Sequence, residues 1–289
     1  MKKEYTLRDI QNSILTVIKD IDVFCKENDI TYYLMGGSAL GAMRHNGFIP
    51  WDDDLDIFMT YDNYHKFLKL FEEKASKDYR FNKYFLQKED TEAWPLFISR
   101  VCLTGTTLIS DEFKFNFKQH HNIFVDIMCL YSAPENNVIR WFQYMAAQMV
   151  RVNALAKANF PNENRLKRIV LRLSKIIVNP LTKPLLIHHV RSYEGKNTGY
   201  MGHYFGRARF WNTSFSRKYL GNTRYVPFED TYLPVFENVE DYLVARFGDK
   251  WMEMPSEEVK SQYKIHGNFV DLEKDYTEYI SKDGKHWIY

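Results

Sequence analysis

Between Asp52 and Asp56 the chain reads Asp52-Asp53-Asp54-Leu55-Asp56, followed by Ile57. In an extended segment successive side chains alternate faces, so Asp54 and Asp56 share one face while Leu55 and Ile57 take the other. Two like charges on one face repel unless a cation sits between them. Ligands that offer only oxygen suit Mg²⁺ or Mn²⁺, ions that commonly bridge carboxylates and substrate phosphates. A solvated acidic turn would carry the same residues, so the pattern alone leaves both readings open. Calcium of the EF-hand type is excluded, because Ile57 stands where the loop needs its turn glycine and Asn63 where it needs a bidentate Glu.

Glycines precede the acids. Gly36 to Gly41 match the start of a phosphate loop, but Ala42-Met43 follow in place of Lys-Ser/Thr, which excludes a Walker motif. What remains is Gly36-Gly37-Ser38 at the start of a helix, where backbone can approach a phosphate closely and free amides attract its charge. Arg44, about two turns further on, is a candidate phosphate clamp or an ordinary surface arginine.

The elements that must position these groups follow from periodicity. Ile10, Ile14, Val17, Ile18, Ile21 and Phe24 recur at helical spacing and predict a helix over Thr6–Lys26. A strand is expected at Tyr32–Met35, a short helix at Ser38–His45, a strand at Leu55–Met59, and a helix capped by Asp62. Further strands are expected at Leu96–Leu103, Thr106–Ile109 and Ile123–Met128. Beyond Pro134 the pattern turns helical, with helices at Val138–Ala158, Leu166–Val178 and Leu181–Val190 broken by Pro161, Pro180 and Pro184. The tail from Arg224 reads as a short strand, then a helix near Val239–Phe247 stopped by Gly248. The expected organisation is an α+β catalytic core over residues 1–133 and a mainly helical part over 134–289.

The 289 residues are 45% apolar and 26% charged, an ordinary globular composition. No apolar run approaches the roughly 18 residues of a membrane span, and the first residues show no apolar signal region. Cys25, Cys102 and Cys129 are odd in number and far apart, so no disulfide framework or zinc knuckle is expected. These features predict a soluble chain of a reducing compartment. Charge is uneven: Arg140 to Tyr193 holds ten Lys/Arg against one acid, Glu163, which leaves the rest of the chain net acidic. Within that block Leu166, Ile169, Val170, Leu173, Ile176 and Ile177 form a stripe among Arg165, Lys167, Arg168, Arg172 and Lys175. Such a helix either lies in an anionic membrane interface or packs on a core with a solvated charged face. Nucleic acid is not an expected partner, since no recognised binding module accompanies the charge.

A Gly-Gly/Ser turn followed by D-x-D on the next strand resembles the nucleotidyltransferase (polymerase-β-like) superfamily. That resemblance implies a mixed-sheet core and a third metal-binding carboxylate on a later strand. Asp126 in Phe124-Val125-Asp126-Ile127 fits, because an isolated acid in an apolar strand is costly unless paired or metal-bound. The match tightens over Gly41-Ala42-Met43-Arg44-His45-Asn46-Gly47-Phe48-Ile49-Pro50-Trp51-Asp52-Asp53-Asp54-Leu55-Asp56-Ile57, which resembles the signature of the LicD family. So do Asn122 to Ile127, Pro227-Phe228-Glu229, Tyr242-Leu243, Phe247-Gly248-Asp249 and Met254-Pro255, in matching order across about residues 25–266. Phe247 stands where the family often has Tyr, and Val235-Phe236 where a Pro is usual.

The resemblance implies transfer of phosphocholine from CDP-choline to a cell-surface glycan, with CMP leaving. The related fukutin group transfers ribitol phosphate from CDP-ribitol. Asp54 and Asp56 would hold Mg²⁺ (or Mn²⁺) on the diphosphate. Asp126 would complete the site or take the acceptor hydroxyl's proton. Gly36, Gly37, Ser38, Arg44 and Arg100 would contact phosphate, with His121 and Glu229 as further site candidates. A quaternary ammonium is best held by aromatic faces; Trp51, Trp94 and Tyr131 are rings expected near the site, each more a core residue than part of a cage. A teichoic-acid-type or other lipid-linked acceptor would place the protein in the cytoplasm, peripheral on the inner face of the plasma membrane. The alternatives are transfer of ribitol or glycerol phosphate from its CDP donor, a GT-A-like D-x-D glycosyltransferase, and a binding protein that keeps the fold without catalysis.

Overall fold

The computed structural model describes residues 4–161, 164–261, 263 and 265–289. Glu163, the one acid of the basic stretch, lies outside them. The chain opens with α1 (Leu7–Glu27), started by a reciprocal cap: the Thr6 hydroxyl accepts the Asp9 N–H and the Asp9 carboxylate accepts the Thr6 N–H. Its 3.6-residue apolar repeat is buried from Ile10 to Phe24, as the spacing requires. There follow β1 (Tyr33–Leu34), α2 (Gly36–His45), β2 (Asp56–Thr60), α3 (Tyr61–Lys74), β3 (Tyr84–Gln87), β4 (Ser99–Leu103), β5 (Thr107–Ser110) and β6 (Ile123–Ala133).

Strands β1, β2, β6, β4 and β3 lie in that order in one mixed sheet, with β2 and β6 parallel and the other pairs antiparallel. Helices α1 and α3 pack against it, and Phe24 makes edge-on contacts with Phe67, Phe71 and Phe81 between them. β6 runs past the expected Met128 because Cys129 and Leu130 still pair with β2 and Tyr131 to Ala133 pair with a later strand, all of them buried. β3, which was not expected, is an edge strand whose Phe85 stacks on His120 at the surface.

Residues 134–289 contribute α4 (Asn137–Lys157), α5 (Arg165–Ile177) and α6 (Thr182–Arg191), then β7 (Tyr200–Gly202), α7 (Phe210–Thr213) and β8 (Ser214–Ser216). After these come β9 (Arg224–Phe228), β10 (Thr231–Val235), α8 (Val239–Phe247), α9 (Glu257–Lys260) and β11 (Gly267–Asp271). Pro184 does not break its helix. It sits in the first turn of α6, where a missing N–H loses no intrahelical bond.

This half closes on the first. β7 pairs with the far end of β6, and β8 with β7. β11 returns to pair with β5, and Met201, Phe215, Phe236 and Tyr242 share one core with Ile57, Phe58 and Ile127. A smaller cluster of Trp94, Leu96, Phe113, Ala154 and Ala158 fixes the C-terminal end of α4 beside the loops around β4 and β5. The three cysteines are buried free thiols. No helix among the described residues is long and apolar enough to cross a membrane.

Candidate active site

Leu55 and Ile57 are fully buried, and this anchors the acidic segment so that Asp54 and Asp56 turn the other way. Two side chains hold the approach to β2. Gln11 on α1 donates to the carbonyls of Ile49 and Asp52, and Ser38 on α2 accepts the Asp56 N–H at 2.9 Å. Asp126 is the register partner of Asp56 on the parallel neighbour β6, and Arg100 on β4 is the register partner of Asp126. Three adjacent strands thus present Asp56, Asp126 and Arg100 side by side. The Arg100 Nε donates to Asp126 Oδ1 at 2.7 Å, with both side chains nearly buried. The guanidinium lies on the rings of Phe124 and Trp94, 3.7 and 4.2 Å from their centroids.

Negative charge is concentrated beyond what these partners offset. Burial pushes the Asp54 carboxyl well above the ordinary range, and the charges of Asp56, Asp52 and Asp126 add to it. Asp56 is pushed up to about 8 by burial and by Asp126 and Asp52. Burial raises Asp52 as well. Crowded oxygen ligands of this kind are what a bound divalent cation relieves.

Asp53 points to the other side and does a different job. Its Oδ1 accepts the His266 backbone N–H and Nδ1–H, at 2.9 and 2.8 Å, and its Oδ2 accepts the Gly267 N–H. Burial alone would raise Asp53, but these bonds hold it below its usual value; in return the bond to Asp53 raises His266. The C-terminal segment is thereby tied to the acidic loop. Asp52, Asp54 and His266 each bring a ligand atom to within 4.8 Å of one another.

Asp54, Asp56, Asp126 and His266 form the acidic end of a pocket of about 280 Å³. Its walls carry Phe97, Phe113, Phe124, Phe205 and Phe215, and Phe97 stacks on Phe205 at 4.2 Å. Three further arginines face it: Arg151 from α4, Arg207, and Arg246 from α8. Arg207 pairs with Glu112, and Arg246 donates to the Asn212 carbonyl. Burial, with Arg207 next to it, lowers Arg151. His203 also lines the pocket. Burial brings it down to about 4, its Nδ1 faces the Cys129 carbonyl at 3.3 Å, and its buried Nε2 has no hydrogen-bond partner among the described residues. A neutral ring donating from Nδ1 leaves Nε2 as an acceptor for a ligand's donor.

The family model described as "LicD/FKTN/FKRP, nucleotidyltransferase domain" matches residues 29–165. Over 275 residues, 93% of this chain and 99% of the relative, it is 25% identical to the lipopolysaccharide cholinephosphotransferase LicD of Haemophilus influenzae. The chain is similar to the LicD family, in residues 29–165 by its model and along most of its length to one member. Shorter similarities reach two uncharacterized rickettsial proteins. One, of Rickettsia typhi, is 35% identical over 68 residues, 24% of this chain and 22% of that protein. The other, of Rickettsia prowazekii, is 42% identical over 51 residues, 18% and 19%.

In this LicD-like chain the structure brings Asp54, Asp56, Asp126 and Arg100 together at one pocket. The other expected residues stand around it. Gly36 begins α2 with φ +48°, a left-handed conformation open to glycine, and its N–H donates to the Tyr242 hydroxyl at 3.0 Å. The helix therefore starts two residues before Ser38. Arg44 turns to the Trp251 and Glu253 carbonyls, outside the pocket lining. Glu229 accepts the Phe48 N–H and pairs with Arg8; a Cβ at Gly47 would collide with its carboxylate, so glycine there makes room for the contact. His121 is buried against Trp287 and Tyr276, its Nε2 on the Asn116 carbonyl, and burial brings it down to about 4.

The three rings named from the sequence take the core role, the more expected of their two roles. Trp51 packs on His45 and Lys260, Trp94 is fully buried beneath Arg100, and Tyr131 lies inside the core. None of the three lines the pocket, whose aromatic wall is built from phenylalanines instead. His203, His266, Arg151, Arg207 and Arg246 were not anticipated in the LicD-like site. Each reaches it through strand order or helix packing from sequence far from the acids, and no local motif marks them.

Proposed function

We propose that this enzyme moves phosphocholine from CDP-choline to a hydroxyl of a cell-surface glycan, releasing CMP, on a nucleotidyltransferase-type (polymerase-β-like) core. The observation that carries the reading is the similarity, over 93% of the chain, to a lipopolysaccharide cholinephosphotransferase. The pocket supports it: one acidic end, a cationic flank and an aromatic wall suit a metal-bound diphosphate that ends in a quaternary ammonium.

Asp54, Asp56 and Asp126 would hold Mg²⁺ or Mn²⁺, which when bound neutralises charge on the diphosphate and orients it. Arg151, Arg207 and Arg246 draw the diphosphate into the pocket and stabilise the departing CMP phosphate. Arg100 fixes the Asp126 carboxylate, and the phenylalanine wall takes the trimethylammonium group. The acceptor oxygen forms a bond to the choline-bearing phosphorus. The bond from that phosphorus to the bridging oxygen breaks, and CMP leaves with that oxygen. His266, oriented by Asp53, takes the hydroxyl proton, an arrangement of base and orienting carboxylate common to proton-transfer sites. Ser38 and Glu229 act by position: one holds the Asp56 backbone, the other the loop at Phe48.

The acceptor in this reading is a teichoic-acid-type or other lipid-linked saccharide. The protein works in the cytoplasm, in peripheral contact with the anionic inner face of the membrane through residues 140–193. The test is the fate of the label when CDP-choline carries ³²P in its choline phosphate. Label in the glycan with unlabelled CMP released supports the reading; label retained in the released nucleotide overturns it.

A further inference from the structure

The structure divides the cations of the basic stretch into two sets. Arg140 is buried, with its guanidinium on the Pro134 and Glu135 carbonyls; Arg151 faces the pocket; Arg191 faces Glu89. These are spent inside the fold. Helix α5 is different. Residues 164–178 hold Arg165, Lys167, Arg168, Arg172 and Lys175 and no acid. Leu166, Ile169, Val170, Leu173, Ile176 and Ile177 are between 49% and 73% exposed, and Ser174 is the one buried residue of the helix. The apolar stripe continues past the helix end in Leu181 and Leu185, 81% and 70% exposed. A core-packing role for this stripe is ruled out by that exposure.

We infer that α5, with Leu181 and Leu185, is a docking helix that lies flat in the interface of an anionic lipid bilayer. This deepens the membrane contact of the proposed function by assigning it to one element, and it holds whatever donor the pocket takes. Charge complementarity selects the occupant. Five cations without an acid flank an aliphatic stripe, the pattern that buries aliphatics at the acyl boundary while the cations meet anionic headgroups. A second copy seated on the same face would set cations against cations. Thirteen residues of helix span about 20 Å, too short to cross a hydrocarbon core of about 30 Å.

The placement links the helix to the pocket. α5 packs on α4, where Asn153 donates to the Ser174 carbonyl at 3.1 Å. Asn153 is two residues from Arg151 and two from Leu155, and both of these line the pocket. A docked α5 therefore holds that wall within one helix of the bilayer surface, where a lipid-linked acceptor presents its glycan.

The test is sedimentation of the full chain with vesicles of phosphatidylcholine, alone or mixed with phosphatidylglycerol, with no donor or acceptor present. Wild type should bind the mixed vesicles at low salt, release at high salt, and ignore the neutral ones. Arg168→Glu/Arg172→Glu/Lys175→Glu should weaken binding about a hundredfold or more. Ile169→Ser/Leu173→Ser should weaken it independently of salt, with circular dichroism unchanged because these side chains touch solvent. No binding to anionic vesicles at low salt overturns the inference. So does salt-insensitive binding that survives the charge reversal, or a concentration-dependent dimer abolished by the serine variant in place of vesicle binding. A failed transfer assay would strike the proposed function and leave this result standing.

Discussion

Asp126 and Arg100 face each other in register on neighbouring strands, joined by a 2.7 Å bond that is almost fully withdrawn from water. The pair sits between two rings and the acidic end of the pocket, so its cost of burial is offset only while both partners are present. Arg100→Met should destabilise the fold by about 3–5 kcal/mol, because it strands a buried carboxylate. Arg100→Met combined with Asp126→Leu should recover most of that stability and remain inactive. Urea denaturation of the two variants checks the order; equal instability of both would contradict it.

Asp54→Asn or Asp56→Asn should lower transfer on the order of a thousandfold or more, since each removes a group that would hold the metal. Stability should move the other way. Asp56 titrates at about 8 in the fold and near the ordinary 3.8 when unfolded, so between those values the folded state holds a proton the unfolded state has lost. Its contribution is therefore present at low pH and lost as pH rises through 8. Thermal melts of the metal-free protein should show wild type losing ground relative to Asp56→Asn between pH 5 and pH 8. Mg²⁺ should restore wild type and leave the variant unmoved. An active Asp56→Asn enzyme would remove the metal assignment.

His203 offers the pocket an acceptor without a partner among the described residues. His203→Leu should raise the KM for whichever substrate donates to Nε2 by roughly 5- to 30-fold, the cost of about 1–2 kcal/mol for one lost hydrogen bond. The kcat should stay close to wild type. A fall in kcat with KM unchanged for both substrates would place His203 elsewhere in the reaction.

Two buried histidines set an acid limit on stability. His121 and His203 titrate at about 4 when folded, against an ordinary value of 6.5. The unfolded chain therefore takes up protons first, and stability is lost as pH falls from 6.5 towards 4, by roughly 3 kcal/mol for each group at full effect. Denaturation midpoints of His121→Gln should fall less steeply over that window than those of wild type. A parallel slope would show that His121 is not the group responsible.

The acidic half of the site was legible because its chemistry is local. Asp54, Leu55, Asp56 and Ile57 alternate over four residues, and strand alternation alone turns the acids to one side. Asp126 and Arg100 could be proposed singly, but their pairing depends on β6 lying between β2 and β4, a fact of sheet order. His266 is held by Asp53 across more than two hundred residues, and no spacing announces that contact. The phenylalanine wall was missed for a related reason. Apolar rings in a pocket and in a core follow the same periodicity, so Trp94 and Tyr131 could not be told from Phe97 and Phe205 by pattern. Helix α5 was legible as an amphipathic element, whereas the exposure of its stripe is a property of the packed molecule.

The most direct measurement of the central claim is CMP release from a panel of donors with a lipid-linked glycan acceptor, in Mg²⁺ and after chelation. The account predicts release from CDP-choline that requires both acceptor and Mg²⁺, with CDP-ribitol, CDP-glycerol and UDP-sugars much poorer. A clear preference for CDP-ribitol or CDP-glycerol would keep the acidic site and overturn the choline assignment. Full activity with CDP-choline after chelation would contradict the role given to Asp54, Asp56 and Asp126.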